Sequence, residues 1–134
     1  MAHSIIPAIV AQLIPAKEIQ FDRNLKVHHI REVINRLSVP TFPFIASCDV
    51  LVQLMLPEGH AEMIELRVLD KTGNVLTLMQ IDARNVREPD YPPGCDISMS
   101  VRFLAEKEGI YEIQALGMEG VIARYPFYIG KGNK

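Results

Sequence analysis

The chain has no tryptophan, and its 134 residues include only four tyrosines and five phenylalanines. A platform for stacking nucleic-acid bases, or a shelf for stacking sugars, would have to be assembled from these few rings. Charge of one sign is also missing: 14 Lys plus Arg face 16 Asp plus Glu, with no run of like charge. The electrostatic footprint of a nucleic-acid binder is therefore absent. Two cysteines, Cys48 and Cys95, are too few and too far apart for a metal knuckle or a disulfide framework. Reduced thiols are expected, Cys48 as a small core residue in an apolar run and Cys95 at the end of a loop. No apolar stretch nears the roughly 20 residues that a membrane-spanning helix needs. The apolar start, Met1 to Ile14, lacks the basic opening and small-residue cleavage site of a secretory leader and is broken by Pro7. A soluble, cytoplasmic protein with no membrane partner is expected.

What the sequence does contain is alternation. Ile97, Met99, Val101 and Phe103 point one way and Ser98, Ser100 and Arg102 the other, the pattern of a half-buried strand. Ile64, Leu66 and Val68 oppose Glu65 and Arg67 in the same manner. Cys48, Val50, Val52, Leu54 and Leu56 share a side opposite Asp49 and Gln53. Turn residues separate these runs: Pro57-Glu58-Gly59, Asp70-Lys71-Thr72-Gly73-Asn74, and Gly117-Met118-Glu119-Gly120. In the second of these, Gly73 supplies the positive φ that closes a hairpin over Leu66 to Asp82. About eight strands at this spacing predict an all-β, two-sheet antiparallel β-sandwich. The length fits one domain over residues 1–134, with Gly130 to Lys134 as a polar tail. Lys26 to Ile34 is read as a strand, although Ile30, Val33, Ile34 and Leu37 fall at helical spacing. Pro7 places Ile5 to Ile14 on a sheet edge or at a bulge, since proline cannot donate to a central ladder.

Gly109-Ile110-Tyr111 opens a strand after the acidic turn Glu106-Lys107-Glu108. This resembles the tyrosine corner of immunoglobulin-like sandwiches, in which the Tyr hydroxyl bonds back to nearby backbone. Ile113 takes the place of the second cysteine, so no inter-sheet disulfide is implied. Together with Val39-Pro40-Thr41-Phe42-Pro43-Phe44, the Asp70 to Asn74 hairpin and the closing Tyr125-Pro126-Phe127, the order is similar to a bacterial family of small immunoglobulin-like sandwiches of unknown function. The resemblance spans roughly Ile5 to Ile129 and implies a fold; it brings no activity, cofactor or catalytic residue.

Chemistry-bearing groups are sparse. Adjacent His28 and His29 point to opposite faces of a strand and cannot chelate one ion together, so no metal site is expected. There is no Gly-x-Ser-x-Gly elbow and no Gly-rich phosphate loop, and neither cysteine has a context that lowers its pKa. Paired carboxylates such as Glu106 with Glu108, or Glu88 with Asp90, lie in turns where charge is the ordinary answer to solvent. No catalytic residue and no cofactor is implied, and the chain is not read as an enzyme.

The least bland surface is the loop Ala83 to Gly94, stiffened by Pro89, Pro92 and Pro93. Its Arg84, Arg87, Asp90 and Tyr91 combine guanidinium, carboxylate and ring on a rigid backbone, the composition of a recognition surface; a plain crossover between sheets is the competing reading. The leading expectation is a non-catalytic interaction or assembly module whose partner is its own copy or another protein. It is motivated by Leu51 and Met55, which leave an apolar strip opposite the core-facing side of their strand. A small-ligand or carbohydrate-binding sandwich is the alternative.

Overall fold

The computed structural model describes residues 9–132, and all regular structure within them is extended. The strands are β1 (Val10–Asp22), β2 (Val27–Val33), β3 (Arg36–Val39), β4 (Phe44–Met55), β5 (Glu62–Leu69), β6 (Val75–Ala83), β7 (Gly94–Ala105), β8 (Gly109–Gly117) and β9 (Gly120–Lys131). They form two sheets, of order β2-β1-β4-β7 and β3-β9-β8-β5-β6. This is the all-β sandwich expected from alternation, with one strand more than the eight anticipated. The additional strand is β3, which holds Leu37 and runs parallel to β9, while the other pairings are antiparallel. No helix among the described residues is long and apolar enough to cross a membrane.

Period-two alternation builds the core. Cys48, Val50, Val52 and Leu54 of β4, with Val101 and Phe103 of β7, face Ile64, Leu66 and Val68 of β5 and Ile113 of β8. Each such aliphatic side chain contributes about 1.5–3 kcal/mol by leaving water. At one end the rings of Phe103, Tyr111 and Phe127 meet with centroids 5.9–6.3 Å apart. The Tyr111 ring is buried, and its hydroxyl donates to the Lys107 carbonyl and accepts from the Lys107 amide at 3.4 Å. The corner anticipated from Gly109-Ile110-Tyr111 is thus formed. Tyr111→Phe is expected to cost about 1 kcal/mol, and more if the Lys107 carbonyl is left without a donor. An unchanged urea midpoint would show that this bond contributes nothing.

The Asp70 to Asn74 turn is held by its first residue. Asp70 Oδ1 accepts from the amides of Thr72 and Asn74 and from the Thr72 hydroxyl, which leads the causes that hold its carboxyl below the usual range. Gly73 takes φ +89°, as the hairpin required.

β1 meets the edge expectation in part. Pro7 lies outside the described residues; β1 stands between β2 and β4 in the sheet order, yet among the described residues Val10 to Ile14 pair with β4 alone and form a local edge. Its two halves have different partners: Val10 to Ala16 pair with β4, and Ala16 to Asp22 pair with β2. Pro15 sits at the changeover. Its carbonyl accepts from the Ile34 amide on the β2 flank, the side on which its missing N–H would also point, so the β4 ladder loses nothing.

Beyond Ala16, β1 and β2 leave the ladder as a two-stranded ribbon that folds over the outer face of β4. The Ile19 amide donates to Asp49 Oδ2 at 2.9 Å, while Ser100 donates to Asp49 Oδ1. Ala16 and Ile19 close over Leu51, which is only 3% exposed and forms a second small core. The apolar strip expected at Leu51 and Met55 is therefore covered at Leu51 by the chain itself, and only Met55 stays half exposed.

Candidate interaction surface

The loop between β6 and β7 is braced from within. Asn85 Oδ1 accepts from the amides of Arg87 and Gly94, the Val86 amide donates to the Gly94 carbonyl, and the Leu56 amide donates to the Pro93 carbonyl. Arg87 turns inward. Its Nη1 donates to the Pro92 carbonyl at 3.1 Å and its Nη2 to Asp96 at 3.2 Å, a charge-assisted pair in a partly shielded place. Arg84 pairs with Asp82 at 2.8 Å in the open. Asp90 and Tyr91 face solvent, Tyr91 with 60% of its surface exposed. Of the residues singled out from the sequence, Arg87 therefore holds the loop in shape, and Arg84, Asp90 and Tyr91 form its outer surface.

Sequence patterning gave no sign that this loop meets the ribbon. The Lys26 ammonium, at the ribbon tip, lies 3.2 Å from the Glu88 carboxylate. Between two exposed side chains this pair is worth little energy, but it places the tip beside the loop. The ribbon turn is shaped by Asp22, whose Oδ1 accepts from the Leu25 and Asn24 amides. These bonds, the Leu25 one foremost, hold the Asp22 carboxyl below its usual range.

The ribbon carries an unusual load of exposed apolar residues: Phe21, Leu25, Val27, Ile30 and Val33 are each at least 38% exposed. Val86, 70% exposed, and Tyr91 add to them from the loop. Isolated exposed apolar residues are ordinary, but a concentration of them on one two-stranded element is a mark of interaction sites. On the outer face of the second sheet Arg124 grips Glu112 through two bonds, Gln114 donates to Glu112, and Arg67 donates to Gln114. The Arg124 bonds lead the causes that lower the Glu112 pKa. That face carries a satisfied polar cluster, beside which Met63, Leu78 and Ile110 stand about half exposed.

Elsewhere the chemistry is structural. His60 Nε2 meets Glu62 Oε1, while Glu62 Oε2 accepts the Met118 amide, so the pair fastens the β8–β9 turn. His28 stacks on Phe21 with centroids 4.9 Å apart, and His29 lies 3.8 Å from the Asp22 carboxylate on the other face. Among the described residues no three His, Cys, Asp or Glu side chains gather as a metal site requires. Both cysteines are buried and free; burial pushes the Cys48 thiol up to about 11 and raises that of Cys95, which suppresses the nucleophilic thiolate. An open cleft of about 510 Å³ lies between the Asp70 to Asn74 turn and the Tyr111 corner, with Leu76, Leu104 and Ile110 among apolar lining residues and Lys71 and Lys107 among charged ones.

No protein-family model and no curated protein matches this chain in sequence. Solved structures do resemble it. The CARDB domain of the PF1109 protein from Pyrococcus furiosus, crystallised in complex with di-metal ions, is similar over 95% of this chain and 96% of its own, at 12% identity and a TM-score of 0.50. A β-glucosidase from Listeria innocua in complex with glucose is similar over 91% of this chain at 8% identity and a TM-score of 0.43, and the chain spans only 16% of that enzyme. At such identity the first likeness concerns the fold alone, and it makes this an immunoglobulin-like β-sandwich domain.

Proposed function

We propose that this sandwich is a non-catalytic interaction module that associates with itself, using the β1–β2 ribbon as the contact and the β6–β7 loop as its rim. The observation that carries this reading is the ribbon itself, where Phe21, Leu25, Val27, Ile30 and Val33 stand in water beside Val86 and Tyr91. Tyr91, Arg84 and Asp90 supply the ring and the polar groups that commonly border such a contact, on a loop stiff enough to lose little entropy. Inert thiols and the structural roles of His60 and Glu62 favour a module over an enzyme. On the same reading the chain acts in the cytoplasm and belongs with the small bacterial immunoglobulin-like sandwiches that its Tyr111 corner resembles.

The test is mass in solution. Light scattering after size exclusion, repeated across the micromolar range, should return twice the 15.1 kDa of one chain. A mass of 15.1 kDa at every concentration overturns self-association.

A further inference from the structure

We infer that the second copy docks by antiparallel pairing of its β2 with this β2, centred on Ile30, so that the two β1–β2 ribbons become one four-stranded sheet; this rests on the self-association reading. Among the described residues β2 is the outer strand of its sheet and pairs only with β1, so one flank of its backbone has no strand partner there. It contains neither proline nor glycine to blunt that flank. Glu32 takes φ +58° and interrupts the β1–β2 pairing at that one position, but the register resumes unshifted, from Arg31 opposite Glu18 to Val33 opposite Ala16.

Symmetry leaves few registers. A two-fold axis through an antiparallel pair passes between a residue and its own counterpart, so one residue must face itself. Centring on Arg31 sets guanidinium against guanidinium and Ile30 against Glu32. Centring on His29 sets imidazole against imidazole, Val27 against Arg31 and Ile30 against His28. Centring on Ile30 sets Val27 against Val33, Ile30 against Ile30 and His28 against Glu32. Apolar then meets apolar and the carboxylate meets the imidazole, the arrangement that stabilises cross-strand pairs, while the remaining pair sets His29 against Arg31, whose guanidinium is already held by Glu18. Because Ile19 already lies opposite Ile30 within the ribbon, the joined sheet would carry an unbroken row of four isoleucines, two from each copy.

Thiol cross-linking reads the register directly. Cys48 and Cys95 are buried, so a single added cysteine is the reactive one. In the full chain Ile30→Cys should be joined to its counterpart by a short bismaleimide in high yield. Val33→Cys should not, since six residues of strand would separate it from its counterpart by about 20 Å. A mixture of Val27→Cys with Val33→Cys should cross-link, and it tests the register independently if Ile30→Cys fails to fold. A protein of dimer mass in which Val33→Cys links to itself, or neither Ile30→Cys nor the mixture links, overturns this pairing and leaves self-association standing. A monomer mass overturns both.

Discussion

Phe127→Ala is expected to lower the free energy of unfolding by about 3–5 kcal/mol, the usual loss for deleting a buried ring. Phe127 lies on β9 with 4% of its surface exposed. Its ring meets Phe103 edge-on, with centroids 6.3 Å apart, and Tyr111 at 6.1 Å. Such aromatic pairs add about 0.5–1.5 kcal/mol beyond the burial of area. Collapse around the gap is resisted from both sides. Phe103 is carried by β7 of one sheet, and Tyr111 is tethered through its hydroxyl to the Lys107 backbone. Urea denaturation followed by circular dichroism measures the loss. A change under 1 kcal/mol would mean that the three rings do not pack as one unit.

Gly94→Ala should cost about 1–3 kcal/mol, the range for overpacking a filled site. Gly94 opens β7 opposite Met55, and a Cβ there would collide with the Leu54 carbonyl oxygen and the Arg87 guanidinium. The carbonyl belongs to the β4 ladder and cannot withdraw alone. The guanidinium is held by Pro92 and Asp96. The added methyl group should therefore expel Arg87 and loosen residues 84–93, seen as faster proteolysis within that segment. Arg87→Ala should already have loosened it, so the two substitutions together should cost less than their sum. Full additivity, or no loss at all, would show that Gly94 and Arg87 do not share this space.

The fold was legible where the signal is local. Alternation placed β4, β5, β7 and β8, because a strand buried on one face writes that burial into every second residue. Turn chemistry placed the Asp70 to Asn74 hairpin, and Gly109-x-Tyr111 marked the corner. The strand read over Lys26 to Ile34 forms over Val27–Val33, with Lys26 in the turn at φ +56°, whereas Leu37 stayed ambiguous: β3 is four residues long and finds its partner, β9, some ninety positions away. Leu51 illustrates the other limit. Its place on the outer side of β4 was readable from periodicity, but its cover comes from Ala16 and Ile19, on a strand that changes partner at Pro15. The inward turn of Arg87 was equally hidden, since it depends on Gly94 and Asp96 standing where the guanidinium can reach them.

The change of partner within β1 sets its two ends at different depths of protection. Val10 to Ala16 pair with β4, in a sheet that closes the main core, and those of their amides that point to β4 should open only when much of the sandwich opens. The ribbon beyond them is secured by Ile19 and Ala16 on Leu51, by the single bond to Asp49 and by an exposed ion pair at its tip. It can peel away as a subunit of the fold, in a partial unfolding that leaves β4, β7 and the second sheet standing and uncovers Leu51. A second molecule holding the ribbon in place would then bind at the least stable part of the chain, and its binding energy would register mainly as slower opening of this one element.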